Sequence, residues 1–260
     1  MKLSQTLLIG AAAFGALLTP VAASAQDYYA AFSVGAVDLD DSDNSGAFSS
    51  DFTTGEGTAI PAGTVLPEGT PVGWTTAFDD GSSLSAALGR RFGAWRGEIE
   101  LSRQSNDVET HSGVEAGGIA LDGEDAGVLI TGSPNLGVSV GDLVDDGQGS
   151  VETTFLFANG FYDFNTGGPI TPYVGAGIGV GMVDVDYSPS GVEIVNDDAT
   201  VFAYQLIGGA ALDVTERIAL FAQARYRATE DVENDVALFD ASLDIENRAT
   251  LIEAGVRFRF

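Results

Sequence analysis

The last segment of the chain alternates at every second residue. Ile252, Ala254, Val256, Phe258 and Phe260 fall on one face of an extended strand, and Leu251, Glu253, Gly255, Arg257 and Arg259 on the other. A period of two is the strand signature, and helical spacing is sustained nowhere after Tyr28. Residues 28–37, 82–92, 95–105, 151–164, 171–185, 200–212 and 217–228 repeat the pattern, with 249–260 as the eighth segment. A tilted strand needs about 9–11 residues to cross the hydrocarbon layer of a membrane, and each segment supplies them.

The links between these segments alternate in length. Gly93-Ala94, residues 165–170 and residues 213–216 are short, whereas residues 38–80, 106–149, 184–198 and 229–247 are long. That rhythm predicts an all-β fold: an eight-stranded antiparallel up-and-down transmembrane barrel, with short periplasmic turns and four long acidic extracellular loops. Both termini then lie on the periplasmic side of a Gram-negative outer membrane.

Charge supports the same partition. The formal net charge is −27, and the long links hold 30 of the 38 acidic residues (nine, nine, five and seven in order) but none of the ten arginines. Loops that were merely polar would not exclude arginine so completely, so the four links are expected to share one side. The one lysine is Lys2. Such acidity excludes nucleic-acid binding, which needs a basic face. The absence of cysteine excludes disulfides and thiol chemistry.

The N-terminus reads as a secretory signal: Lys2, an apolar run from Leu7 to Leu18, then Ala23-Ser24-Ala25. Residues 1–25 are therefore expected to be cleaved before Gln26, leaving residues 26–260 as the barrel.

A membrane barrel turns apolar side chains outward and polar ones inward. Leu84, Ala86, Leu88, Ile99, Leu101, Val174, Ile178, Leu206 and Leu220 are then expected on lipid, with Tyr28, Phe92, Trp95, Tyr162 and Phe164 in an aromatic girdle near the turns. Inside, a charge is costly unless paired. Glu98, Glu100 and Glu253 are predicted to form a network with Arg91, Arg225 and Arg257 and to plug a core that eight strands leave barely wide enough for side chains. Gly175, Gly177, Gly179 and Gly181 also point inward. The space above them is either filled by bulky neighbours such as Tyr29, Phe155 or Phe157, or left as a thin aqueous passage.

Catalysis has little to draw on. The only histidine, His111, stands beside Ser112 in the second long link and reads as a solvated loop residue, so no catalytic residue and no bound cofactor are expected. Asp41-Ser42-Asp43-Asn44-Ser45-Gly46 has oxygens at alternating positions and a glycine at the sixth, as calcium loops do, which makes Asp41, Asp43 and Ser45 weak metal candidates. Phe52 occupies the position of the bidentate glutamate. Divalent cations loosely held by the acidic loops, bridging to lipopolysaccharide, fit better.

Several motifs carry a resemblance: Asn159-Gly160-Phe161-Tyr162-Asp163-Phe164, Pro172-Tyr173-Val174-Gly175-Ala176-Gly177-Ile178-Gly179, Phe202-Ala203-Tyr204-Gln205-Leu206 and the closing Gly255-Val256-Arg257-Phe258-Arg259-Phe260. In them the chain resembles the small outer-membrane barrels grouped with the OmpA transmembrane domain and the opacity-type porin family. The resemblance implies that Ile252, Ala254, Val256, Phe258 and Phe260 are read by the barrel assembly machinery. It also implies a monomer among outer-membrane lipid and lipopolysaccharide, with a structural or surface-interaction role, or alternatively a narrow channel for small solutes.

Overall fold

The computed structural model describes residues 27–57, 59–130, 133–134, 136–191, 194–235 and 241–260. The expected signal segment and its cleavage point before Gln26 lie outside them. Fifteen strands follow in chain order: β1 (Tyr28–Leu39), β2 (Ser42–Phe48), β3 (Phe52–Thr53), β4 (Val65–Leu66), β5 (Pro71–Phe78), β6 (Gly81–Phe92), β7 (Trp95–Ala116), β8 (Ile119–Ala120), β9 (Gly149–Asp163), β10 (Ile170–Tyr187), β11 (Val195–Asp213), β12 (Ile218–Thr229), β13 (Val232–Asp235), β14 (Ala241–Ile245) and β15 (Arg248–Arg259). No helix among the described residues is long and apolar enough to cross a membrane.

Eight strands close a ring in the order β1–β6–β7–β9–β10–β11–β12–β15, each antiparallel to its neighbours, and β15 returns to β1. Closure leaves no unpaired edge, which is what a strand backbone in hydrocarbon requires. Side chains alternate across the wall as the two-residue period demands. Leu84, Ile178 and Ile252 are 63%, 62% and 62% exposed on the outside, whereas Glu100 and Arg257 are 1% and 3% exposed on the inside. Apolar out and ionic in is the arrangement of a barrel that meets lipid. At the turn end, Trp95, Tyr162 and Phe164 stack edge to face with ring centroids 5.0 and 5.1 Å apart, forming one arc of the girdle.

The long links hold more structure than loops. β7 does not stop at residue 105 but runs on to Ala116, and the expected loop 184–198 is mostly a hairpin that pairs Tyr187 with Val195. Beyond the membrane-crossing zone a second ladder, β7–β5–β2–β14–β13, continues one half of the ring, with β5 and β2 in line with β6 and β1. In this cap the polarity reverses. Phe48, Ile60, Val72, Ala116, Leu121, Ala241 and Leu243 pack into a buried apolar core on its inner face. With no lipid outside, the strands bury apolar side chains as a water-soluble sheet does.

The ionic interior as candidate functional site

The barrel interior is layered. Nearest the turns lies an aromatic and small-residue layer of Tyr29, Ala31, Ala87, Phe161, Tyr173, Ile207, Ala211 and Phe221. At the cap end Val37, Leu39, Val108, Val183, Val185, Tyr187 and Leu251 form an aliphatic layer. Charge is confined between and among them.

Arg225 is the hub. Its Nη1 donates to Glu100 Oε1 at 2.5 Å, and its Nε stands 2.7 Å from Glu253 Oε2. Glu253 also accepts from Gln223 Nε2 at 2.8 Å and Ser83 Oγ at 3.0 Å. Glu100 accepts from Asn159 Nδ2 at 2.9 Å, and Asn159 Oδ1 in turn accepts from Gln205 Nε2 at 2.9 Å. Arg227 lies 3.6 Å from Glu100 and packs its guanidinium against Phe155 and Phe157, 4.4 and 5.3 Å from the ring centroids. Buried ions are tolerable only when each lone pair and proton finds a partner. Cross-strand neighbours supply most of these partners, although Arg225 Nε, Arg96 Nη2 and Arg257 Nε make no hydrogen bond among the described residues.

A second cluster sits closer to the turns. Arg96 Nη1 donates to Glu98 Oε1 at 2.8 Å and its Nε to Asp163 Oδ1 at 2.9 Å, while the Tyr29 hydroxyl donates to Glu98 at 2.5 Å. Arg96 also lies 4.3 Å from the centroid of Phe161.

The expected network is thus divided. Glu100 and Glu253 meet Arg225, but Glu98 pairs with Arg96 instead. Arg91 stays at the mouth, half-exposed, and pairs with Asp163 at 3.6 Å. Arg257 has no carboxylate within ion-pair distance among the described residues and lies over Tyr29, Phe221 and Tyr173 at 5.0 to 5.8 Å. Its charge faces ring quadrupoles rather than an anion. Sequence reading overlooked Arg96 and Asp163 as partners, although Arg96 has the same parity as Glu98 and Glu100 and so was legible.

The four inward glycines are close-approach positions. A methyl group at Gly175 would meet Phe161, at Gly177 the Asn159 carboxamide and at Gly181 the Phe155 ring, while Gly179 abuts the backbone at Leu156 and Phe157. Tyr29, expected there, instead covers Gly89. At the chain end, Ile252, Ala254, Phe258 and Phe260 are exposed on the outer face, with Val256 half-buried among them.

Two readings change in the cap. His111 is not solvated: it is 3% exposed, with Nδ1 2.8 Å from Thr76 Oγ1 and its ring edge-on to Tyr187. The cause is a β-bulge. Ala77 pairs with Thr110 but Phe78 pairs with Val108, so Glu109 is an extra residue that re-aims the side chains after it, until a second register shift between Ser112 and Glu115 restores the parity. His111 turns inward while Ser112 stays exposed, so the two make no nucleophile–base pair. The calcium-like segment is likewise not a loop. It forms β2, in which Asp43 accepts from Thr75 Oγ1 at 3.0 Å. Asp41, Asp43 and Ser45 lie exposed along one extended face and cannot wrap an ion. Among the described residues, no three or more His, Cys, Asp or Glu groups converge on a metal position.

The outer membrane protein OprG from Pseudomonas aeruginosa superimposes with a TM-score of 0.51 at 13% identity, covering 90% of this chain and 97% of that one. Neisserial surface protein A (NspA) gives 0.47 at 17% identity, covering 91% and 98%. The outer membrane protease OmpT from Escherichia coli gives 0.41 at 9% identity, covering 91% and 98%. No curated protein sequence matches the chain. A family model described as surface antigen matches residues 77–260, from the end of β5 through seven barrel strands to the last residue, and the chain belongs to that family.

Proposed function

We propose that this surface antigen is a non-enzymatic integral outer-membrane barrel, closed to solutes, with both termini periplasmic and its acidic cap facing the exterior. The observation that carries the reading is the ionic belt centred on Arg225, closed towards one end by an aromatic layer and towards the other by an aliphatic one. The void left in the belt, lined by Ser33, Ser85, Glu98, Glu100 and Arg225 among others, is about 10 Å³. That is space for about one water molecule, not a hydrated ion. The barrel is then a rigid mount for the cap, and surface interaction is the role left to it.

Planar-bilayer recording of the purified protein tests this. A steady baseline is expected, with no single-channel steps; reproducible small steps would establish the alternative, a narrow channel for small solutes. Orientation is tested by protease added to intact cells, which should cut the cap and leave the turns whole. The acidic cap also suits loosely held divalent cations that bridge it to lipopolysaccharide phosphates around a single barrel. Release of the protein's surface neighbours by a chelator is the corresponding measurement.

A further inference from the structure

The cap encloses a cavity of about 90 Å³. Its wall is almost wholly carbon: Phe48, Val72, Trp74 and Val114 stand on the sheet side, with Val140 and Ile194 opposite. Apolar cavities of about 150 Å³ stay dry and take up benzene, so a cavity of this order suits a small ring or a short branched chain. Two side chains of the wall, His111 and Tyr187, carry a buried polar atom with no hydrogen-bond partner among the described residues, and in His111 that atom is Nε2.

A chain of hydrogen bonds behind the ring leads to its other nitrogen. The backbone amide of Glu246, which can only donate, donates to Ser42 Oγ at 3.0 Å. Ser42 donates its hydroxyl proton to Asn44 Oδ1 at 2.9 Å, and Asn44 Nδ2 donates to Thr76 Oγ1 at 2.7 Å. Thr76 Oγ1 lies 2.8 Å from His111 Nδ1, and we assign the Thr76 hydroxyl proton to that nitrogen. An imidazole that accepts at Nδ1 carries its own proton on Nε2. Burial keeps the ring neutral by holding its pKa at about 4. In that tautomer the ring presents an N–H donor to an apolar chamber, and a buried unsatisfied donor is costly.

We propose that the cap cavity is a binding site for a small neutral molecule with an apolar body and one hydrogen-bond-accepting oxygen, held at that oxygen by His111 Nε2–H. A ketone, ester or ether fits; a charged headgroup or a sugar does not, because the wall presents too little polar surface to satisfy its several polar atoms. The site lies wholly in the cap and does not depend on whether the barrel conducts.

The test uses the full protein in lipid nanodiscs with ¹⁵N-histidine, and cyclopentanone and methylenecyclopentane as probes. These share a shape and differ in one acceptor. Cyclopentanone should shift the His111 Nε2–H resonance saturably, and methylenecyclopentane should bind roughly tenfold more weakly at equal free concentration. His111→Phe should still bind the hydrocarbon but lose the preference. Equal affinity for both probes in the unsubstituted protein, no saturable shift with either, or a preference that survives His111→Phe overturns the proposal. So does a spectrum of the unsubstituted protein with the proton on Nδ1, which requires no variant to fold.

Discussion

The phenol ring of Tyr29 lies over the bare backbone of Gly89, its direct cross-strand partner: a methyl group on Gly89 would overlap the ring carbon bearing the hydroxyl. The same hydroxyl donates to Glu98, so the glycine on β6 sets the position of a donor on β1 for an acceptor on β7.

Gly89→Ala should therefore move Tyr29, lengthen its bond to Glu98 and destabilise the barrel by about 1–3 kcal/mol, as overpacking does. Gly97→Ala, where an added methyl meets nothing within 4 Å, should change stability by less than about 0.5 kcal/mol. Urea titration of the protein folded into lipid vesicles, followed by tryptophan fluorescence, measures both.

Arg225→Met strands Glu253 and leaves Glu100 only its longer contact with Arg227. Removing one partner of a buried ion pair costs about 3–5 kcal/mol, because the other charge stays in place. Adding Glu100→Gln and Glu253→Gln to Arg225→Met should restore much of the loss, since the pair is worth far less than its orphaned half. If the triple variant is no more stable than the single one, the ionic hub is not the origin of the effect.

The outer face predicts its own cost. Ile178→Arg places a guanidinium on a lipid-facing position near the middle of β10, where about 2–4 kcal/mol is the expected penalty. Val214→Arg, in the turn beyond β11, should cost about 0–1 kcal/mol. Refolding yields and unfolding midpoints in the same vesicles should separate the two variants.

Acid should loosen the cap before it touches the barrel. Burial holds His111 down at about 4 against an ordinary 6.5, with Asp146 pulling it partly back up. An opened cap therefore takes up a proton that the closed cap refuses. Closed-cap stability is complete above pH 6.5 and declines as pH falls to about 4, losing at most about 3 kcal/mol. Hydrogen exchange of β2 and β5 amides should speed up over that window while β10 amides do not change, and His111→Gln should remove the pH slope.

Strand number, order and inside–outside parity were legible because one physical rule, the two-residue period in a two-sided wall, governs every barrel strand alike. The ends of β6, β9, β12 and β15 fall within two residues of the periodicity. What the sequence concealed obeys more than one rule. β7 crosses from lipid into the cap, where apolar residues turn inward rather than outward, and the bulge at Glu109 shifts its parity as it does so. Val108 and His111 are consequently both buried although their spacing is odd. Read as one strand, that stretch has no period, so it resembles a loop. Glu98 was matched to the wrong arginine for a different reason. Parity assigns a face, but which guanidinium reaches which carboxylate depends on strand register and on aromatic rings such as those under Arg257.

β7 has one further consequence. From Trp95 to Asp107 it is hydrogen-bonded to β9, and from Val108 to Ala116 to β5, without a break in its backbone. Arg96, Glu98 and Glu100 in the interior and His111 in the cap therefore hang from a single rod. An antibody or other partner that grips the exposed sheet pulls on the same rod that anchors the buried charges. A pull on the β7 part of the cap is then borne by the hydrogen-bond ladder of the barrel, whereas β2 and β5 can part from it locally.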